Sequence, residues 1–119
     1  MDLAVLSNHA VALRQRFDEV ARLAGRREWT NDEIMQGFVV DVGALMKLVM
    51  AKNGIRVVPD ADQKLAHELA DCLWSVLVLA KSHDVDLEAE FLRMIGQVSA
   101  SLQRGETPKE TLRASGPAP

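Results

Sequence analysis

The chain has a single cysteine, Cys72, so no disulfide can form within it. It lies in an apolar run, where a thiol is expected to be buried and unreactive. Tyrosine is absent and aromatics are scarce, which argues against an all-β fold. Only one adjacent basic pair occurs, Arg26-Arg27, so no nucleic acid polymer is expected as a partner. No uninterrupted apolar stretch reaches the ~18 residues of a membrane span. Asp2 follows Met1 with no charged leader before an apolar core, so no signal peptide is expected. These absences point to a cytoplasmic protein without a membrane partner. Gly43, Gly54 and Gly96 stand alone, so there is no phosphate loop. His9, His67 and His83 lack metal-ligand spacing, and no serine has a nucleophile-elbow context, which leaves zinc binding and nucleophilic catalysis unsupported.

What is present is helix. The 119 residues suit one domain, and 48% of them are apolar, enough for a core. Leu3, Leu6, Ala10, Leu13, Phe17, Val20 and Ala24 step by threes and fours, predicting a first helix with a heptad seam. That seam faces the core, and can also meet a second chain. Gly25 ends the helix, and Thr30 to Glu33 reads as a capping box that starts a second helix reaching about Lys52. This helix is apolar nearly all round and is expected to be central. Asn53-Gly54 stops it. Asp60 or Asp62 caps a third helix to Ser82, and Asp84 or Asp86 a fourth from Leu87 to about Gln103. Ile55 to Val58 is too short to build a sheet. The reading is an all-α four-helix bundle over residues 1–103, with a flexible tail over 104–119 in which Thr107 to Leu112 forms at most one helical turn.

Charge interrupts the carbon in two places. Asp41 falls at the centre of the stripe made by Ile34, Phe38, Leu45 and Leu48. A carboxylate there needs a partner, a metal, or more water than the pattern suggests. Glu68 and Asp71, three residues apart, share one face of the third helix. That face is either solvated, with Lys64 and Glu68 as an ion pair, or buried among the apolar residues from Leu69 to Val78. Acidic pairs on buried helices suit a hard divalent cation, since Mg²⁺ and Mn²⁺ prefer carboxylate oxygens.

Trp29-Thr30, Val40-Asp41-Val42-Gly43-Ala44-Leu45, Glu68-Leu69-Ala70-Asp71-Cys72-Leu73-Trp74 and Asp86-Leu87-Glu88 together resemble the MazG-like all-α nucleotide pyrophosphohydrolases in order and spacing, from about Trp29 to Leu102. The resemblance implies a helical bundle that forms homodimers or homotetramers. It also implies Mg²⁺-dependent hydrolysis of a nucleoside triphosphate to the monophosphate and pyrophosphate, with Mn²⁺ as a substitute. Glu68 and Asp71 match the third-helix acidic pair, as metal ligands and catalytic residues. Asp41 matches the first acid of the second-helix pair, one methylene shorter. Ala44 stands where the second Glu belongs. Met94, Val98 and Ser101 stand where active members offer Lys, Asn and Arg to phosphate, leaving Arg93 and Gln97 as substitutes. Trp29 either stacks on a base or closes the bundle mouth. These departures keep a second expectation open: a degenerate relative that binds a ligand or partner without turnover.

Overall fold

Most helix boundaries follow from a local stop or start signal. The structure, a computed structural model, describes residues 2–106, and the tail from Thr107 onward lies outside them. Four helices follow one another: α1 Leu3–Leu23, α2 Asn31–Lys52, α3 Ala61–Ser82 and α4 Leu87–Gln103. No strand occurs among the described residues, so the fold is all-α.

Three of the four N-termini are capped by a side chain. Asp2 accepts from the Val5 amide at 3.0 Å, starting α1. Thr30 and Glu33 form the expected capping box: the Glu33 amide donates to Thr30 Oγ1 at 3.3 Å and the Thr30 amide to Glu33 Oε1 at 3.1 Å. Asp86, rather than Asp84, caps α4 by accepting from the Ala89 amide at 3.1 Å. At α3 the expected side-chain cap is not made. Asp60 holds the N-cap position in a left-handed conformation (φ 55°) with no capping bond, and Asp62 turns away to pair with Lys52. Gly25 and Gly54, both at positive φ, terminate α1 and α2. There the Arg26 amide reaches back to Ala21 at 2.7 Å and the Ile55 amide to Met50 at 2.9 Å.

The chain divides into two units, Met1–Asp84 and Val85–Pro119. In the first, α3 is the shared element. It packs along α2 and also against α1. Lys52 at the end of α2 meets Asp62 at the start of α3, so these two helices run antiparallel. Arg14 of α1 ties the far end together, donating to Asn31 Oδ1 at 2.8 Å, Ser82 Oγ at 2.9 Å and the Trp29 carbonyl at 3.3 Å. The Trp74 indole donates to the Ala10 carbonyl at 3.1 Å and meets Phe17 edge-to-face, which pins α1 to α3.

The buried apolar set is small: Ala10, Ile34, Leu48, Leu77 and Val78. This corrects the expectation that α2 is central. Ile34 and Leu48 are covered, but Met35, Val39, Val40, Val42, Met46 and Val49 are exposed. An all-round apolar helix needs neighbours on every side, and within the first unit only α3 lies extensively along it. By length and composition α2 is also apolar enough to cross a membrane, since Asp41 and Lys47 are the only charges over residues 34–51. The seam on α1 is likewise half used: Ala10 is buried, whereas Leu13, Phe17 and Val20 remain exposed.

In the second unit, α4 carries Phe91, Leu92, Ile95 and Leu102 exposed and Ser101 buried. Arg104 closes its C-terminus, donating to Ser101 Oγ at 2.9 Å and pairing with Glu106 at 2.9 Å.

Candidate functional site

The three acids singled out in the sequence come together across the α2–α3 contact. Asp41, Glu68 and Asp71 each offer a carboxylate oxygen, and these oxygens lie within 4.8 Å of one another. All three residues are half-buried. The helical repeat sets Glu68 and Asp71 on one face of α3, and antiparallel packing lays Asp41 of α2 against them.

The electrostatics of the cluster are unfavourable as it stands. Burial raises the Glu68 carboxyl above the usual carboxylate range. Hydrogen bonding to Asp41 and the negative charges of Asp41 and Asp71 push it the same way, and His67 opposes them. Buried Glu68 Oε1 has no hydrogen-bond partner among the described residues. Such an oxygen costs about 1–3 kcal/mol, more when charged, unless a proton or cation reaches it. Cys72, beside the cluster, has its thiol pushed up by burial and by the same three carboxylates, which holds it in the unreactive form.

The donor set fits a hard divalent ion. Around octahedral Mg²⁺ the oxygens lie ~2.1 Å from the metal, so adjacent ligands stand about 3.0 Å apart and opposite ones about 4.2 Å. Carboxylate oxygens within 4.8 Å of one another would have to draw closer together to share one ion. Glu68 Oε1 is buried and has no donor competing for it among the described residues.

Two cavities flank the acids. One, of about 460 Å³, includes Asp41 and Asp71 in its wall, together with Phe17, Trp29, Trp74 and Gly37. Trp29 is 59% exposed at its rim, and a Cβ on Gly37 would sit 3.5 Å from the Trp29 ring. The other, of about 640 Å³, is lined by Glu68, Ala44, Lys47, Gln63 and Lys64. Ala44 therefore lines the same cavity as Glu68.

His67 borders both cavities, and sequence reasoning passed over it. Its Nε2 lies 3.2 Å from Asp71 Oδ2, the next turn of the same helix. The i,i+4 spacing of His67 and Asp71 was the available signal. Lys47 and Lys64 were also missed as cavity-lining cations; they carry no motif. Arg14, which fixes the Trp29 carbonyl, is legible only in three dimensions.

Arg93 and Gln97, the substitutes for phosphate ligands, lie on α4 in the second unit. There Arg93 pairs with Glu90 and donates to Gln97 Oε1 at 3.4 Å. Comparison with known proteins leaves this site to its own geometry: no protein-family profile, no curated protein and no solved structure matches the chain.

Proposed function

We propose that this chain is a divergent MazG-like nucleotide pyrophosphohydrolase, splitting a nucleoside triphosphate into the monophosphate and pyrophosphate with Mg²⁺ or Mn²⁺ bound to Asp41, Glu68 and Asp71. The observation that carries the reading is the convergence of these acids, together with a buried Glu68 oxygen that has no hydrogen-bond partner. A divalent ion here would clamp the phosphate charge and lower the pKa of a bound water. The chain's own residues account for the rest. Trp29, Phe17 and Trp74 give one cavity an aromatic wall on which a base can stack beside Asp41 and Asp71. Lys47 and Lys64 give the other cavity positive charge beside Glu68, suited to a polyphosphate. His67 holds Asp71 in place and can pass a proton between that carboxylate and solvent. In the proposed assembly, a homodimer or homotetramer of four-helix bundles, Arg93 and Gln97 remain candidate phosphate contacts.

A second reading is favoured by Ala44 and by Met94, Val98 and Ser101. With one acid and the usual phosphate ligands gone, the chain binds a nucleotide without turning it over. Positioning and charge stabilisation supply most of the rate in phosphoryl transfer, so losing these groups costs more than affinity.

The deciding experiment screens pyrophosphate release from the common ribo- and deoxyribonucleoside triphosphates with Mg²⁺ and with Mn²⁺. Turnover that disappears in Glu68→Ala and in Asp71→Ala is the expected result. Nucleotide binding by calorimetry with no turnover under either metal would establish the second reading. Neither binding nor turnover would overturn both.

A further inference from the structure

Trp29 lines the cavity of about 460 Å³ beside Asp41 and Asp71, yet it lies in the connector between α1 and α2 rather than on a helix. A loop side chain keeps one place in a cavity wall only where backbone and ring are both held. The peptide that joins Trp29 to Thr30 is held at both ends. Its carbonyl accepts from Arg14 Nη2 at 3.3 Å, and its amide donates to Glu33 Oε1 at 3.1 Å. The ring lies over Gly37 of α2, where a Cβ would stand 3.5 Å from it, in van der Waals contact. Trp29 and Ile34 also take the N′ and N4 positions of α2, the pair that sets the angle of chain entry into a helix, and both line the cavity.

Arg14 is the distant member of this set. One guanidinium on α1 reaches the connector, the start of α2 and the end of α3. Its Nη1 donates to Asn31 Oδ1 at 2.8 Å and to Ser82 Oγ at 2.9 Å, while Nη2 serves Trp29. Ser82 Oγ in turn donates to the Val78 carbonyl at 2.8 Å, and Val78 is 1% exposed. The strut is therefore anchored at the most buried residue of α3. All three acceptors of Arg14 are neutral, so direction matters here more than charge. A guanidinium serves them from a rigid planar fork, whereas a lysine ammonium is a point on a flexible stem. Every group in the network lies in the first unit.

We infer that Arg14 is a positioning residue for the aromatic cavity: it holds the Trp29 peptide so that the ring rests on Gly37 and stands as a preformed wall beside Asp41 and Asp71. A wall ordered in advance spares a planar ligand the entropy of ordering it at binding. The consequence for affinity rests on the nucleotide reading; the ordering of Trp29 does not.

The test is ¹⁹F NMR of the full chain labelled with 5-fluorotryptophan. The chain has two tryptophans, and Trp29→Phe assigns their resonances. Trp74, bonded to the Ala10 carbonyl, reports whether α1 still sits on α3. Arg14→Lys is expected to move the Trp29 resonance and leave that of Trp74 in place. Ser82→Ala removes one anchor and keeps Arg14. It is expected to move the Trp29 resonance by less, and it decides the matter should Arg14→Lys fail to fold. Arg14→Lys is also expected to raise the KM for a nucleotide, or its Kd where there is no turnover, roughly three- to tenfold with kcat nearly unchanged. Both resonances moving together would overturn the inference, because Arg14 would then be a general staple of α1. Neither moving would overturn it as well, and so would a displaced Trp29 with nucleotide affinity unchanged. A wild type that binds no nucleotide would sink the nucleotide reading, and the two resonances would then decide on Arg14 by themselves.

Discussion

His67 Nε2 stands 3.2 Å from Asp71 Oδ2, one turn apart on α3, so a candidate metal ligand is already held by a neighbour. Outer groups of this kind fix ligand orientation and tune its basicity, and their loss costs about 10–100-fold in metal affinity or activity. His67→Ala is therefore expected to raise the Mn²⁺ concentration needed for half-maximal thermal protection by roughly tenfold or more. His67→Gln, which keeps a donor, recovers part of it. A metal titration followed by melting temperature checks this; an unchanged midpoint in His67→Ala would show that the pair is a surface contact only.

The raised Glu68 carboxyl makes a pH prediction whose sign can be worked out. A group that binds its proton more tightly when folded adds stability below its unfolded pKa. That stability is lost as pH rises through the folded value. Metal-free protein should therefore weaken between a mildly acidic and a mildly alkaline pH, more than Glu68→Gln, which cannot ionise. Mg²⁺ or Mn²⁺ at the higher pH should restore the wild type and leave Glu68→Gln nearly unmoved. Denaturant melts at both pH values, with and without metal, measure it. Parallel curves for the two proteins would remove the strained-carboxylate account.

Ala44 lies three residues beyond Asp41 and shares a cavity wall with Glu68. Ala44→Glu puts a fourth carboxylate on that wall. Without metal the added charge is expected to lower the melting temperature, because like charges crowd. With metal the order reverses, and affinity for Mg²⁺ rises on the order of tenfold, about 1.4 kcal/mol. Isothermal calorimetry on the two proteins distinguishes this from a substitution that only crowds the cavity, which would lower stability in both conditions.

The start of α2 gives a prediction independent of any function. Arg27, 2.5 Å from Glu33, and the Thr30 amide pull the Glu33 carboxyl down to about 2. This stability is present above the unfolded pKa and is lost as pH falls through the folded value. Thr30→Ala removes half of the capping box and should cost about 1 kcal/mol in urea unfolding at neutral pH. A loss near zero would mean that Glu33 and Arg27 hold the helix start without the hydroxyl.

Sequence reasoning reached the helices because their signals are local. Period, cap and stop residues act within a few positions, and Thr30-Glu33, Gly25 and Asp86 each did what their spacing implies. It also reached Asp41, Glu68 and Asp71, because a charge on an apolar stripe is visible in one dimension. Asp60 was misjudged as a side-chain cap because loop geometry, not residue type, set its left-handed backbone. Arg14 was invisible because its partners Trp29, Asn31 and Ser82 are 15 to 68 positions away along the chain.

By itself, then, the sequence determined an all-helical chain, the approximate bounds of four helices and a short set of misplaced acids. Tertiary structure alone decided that the acids of α2 and α3 meet, since that depends on how two helices are set side by side. It alone decided that His67 borders two cavities beside those acids. It also decided which apolar face of α2 packs on α3. Periodicity names the residues on a helix face, but only packing determines whether anything lies against it.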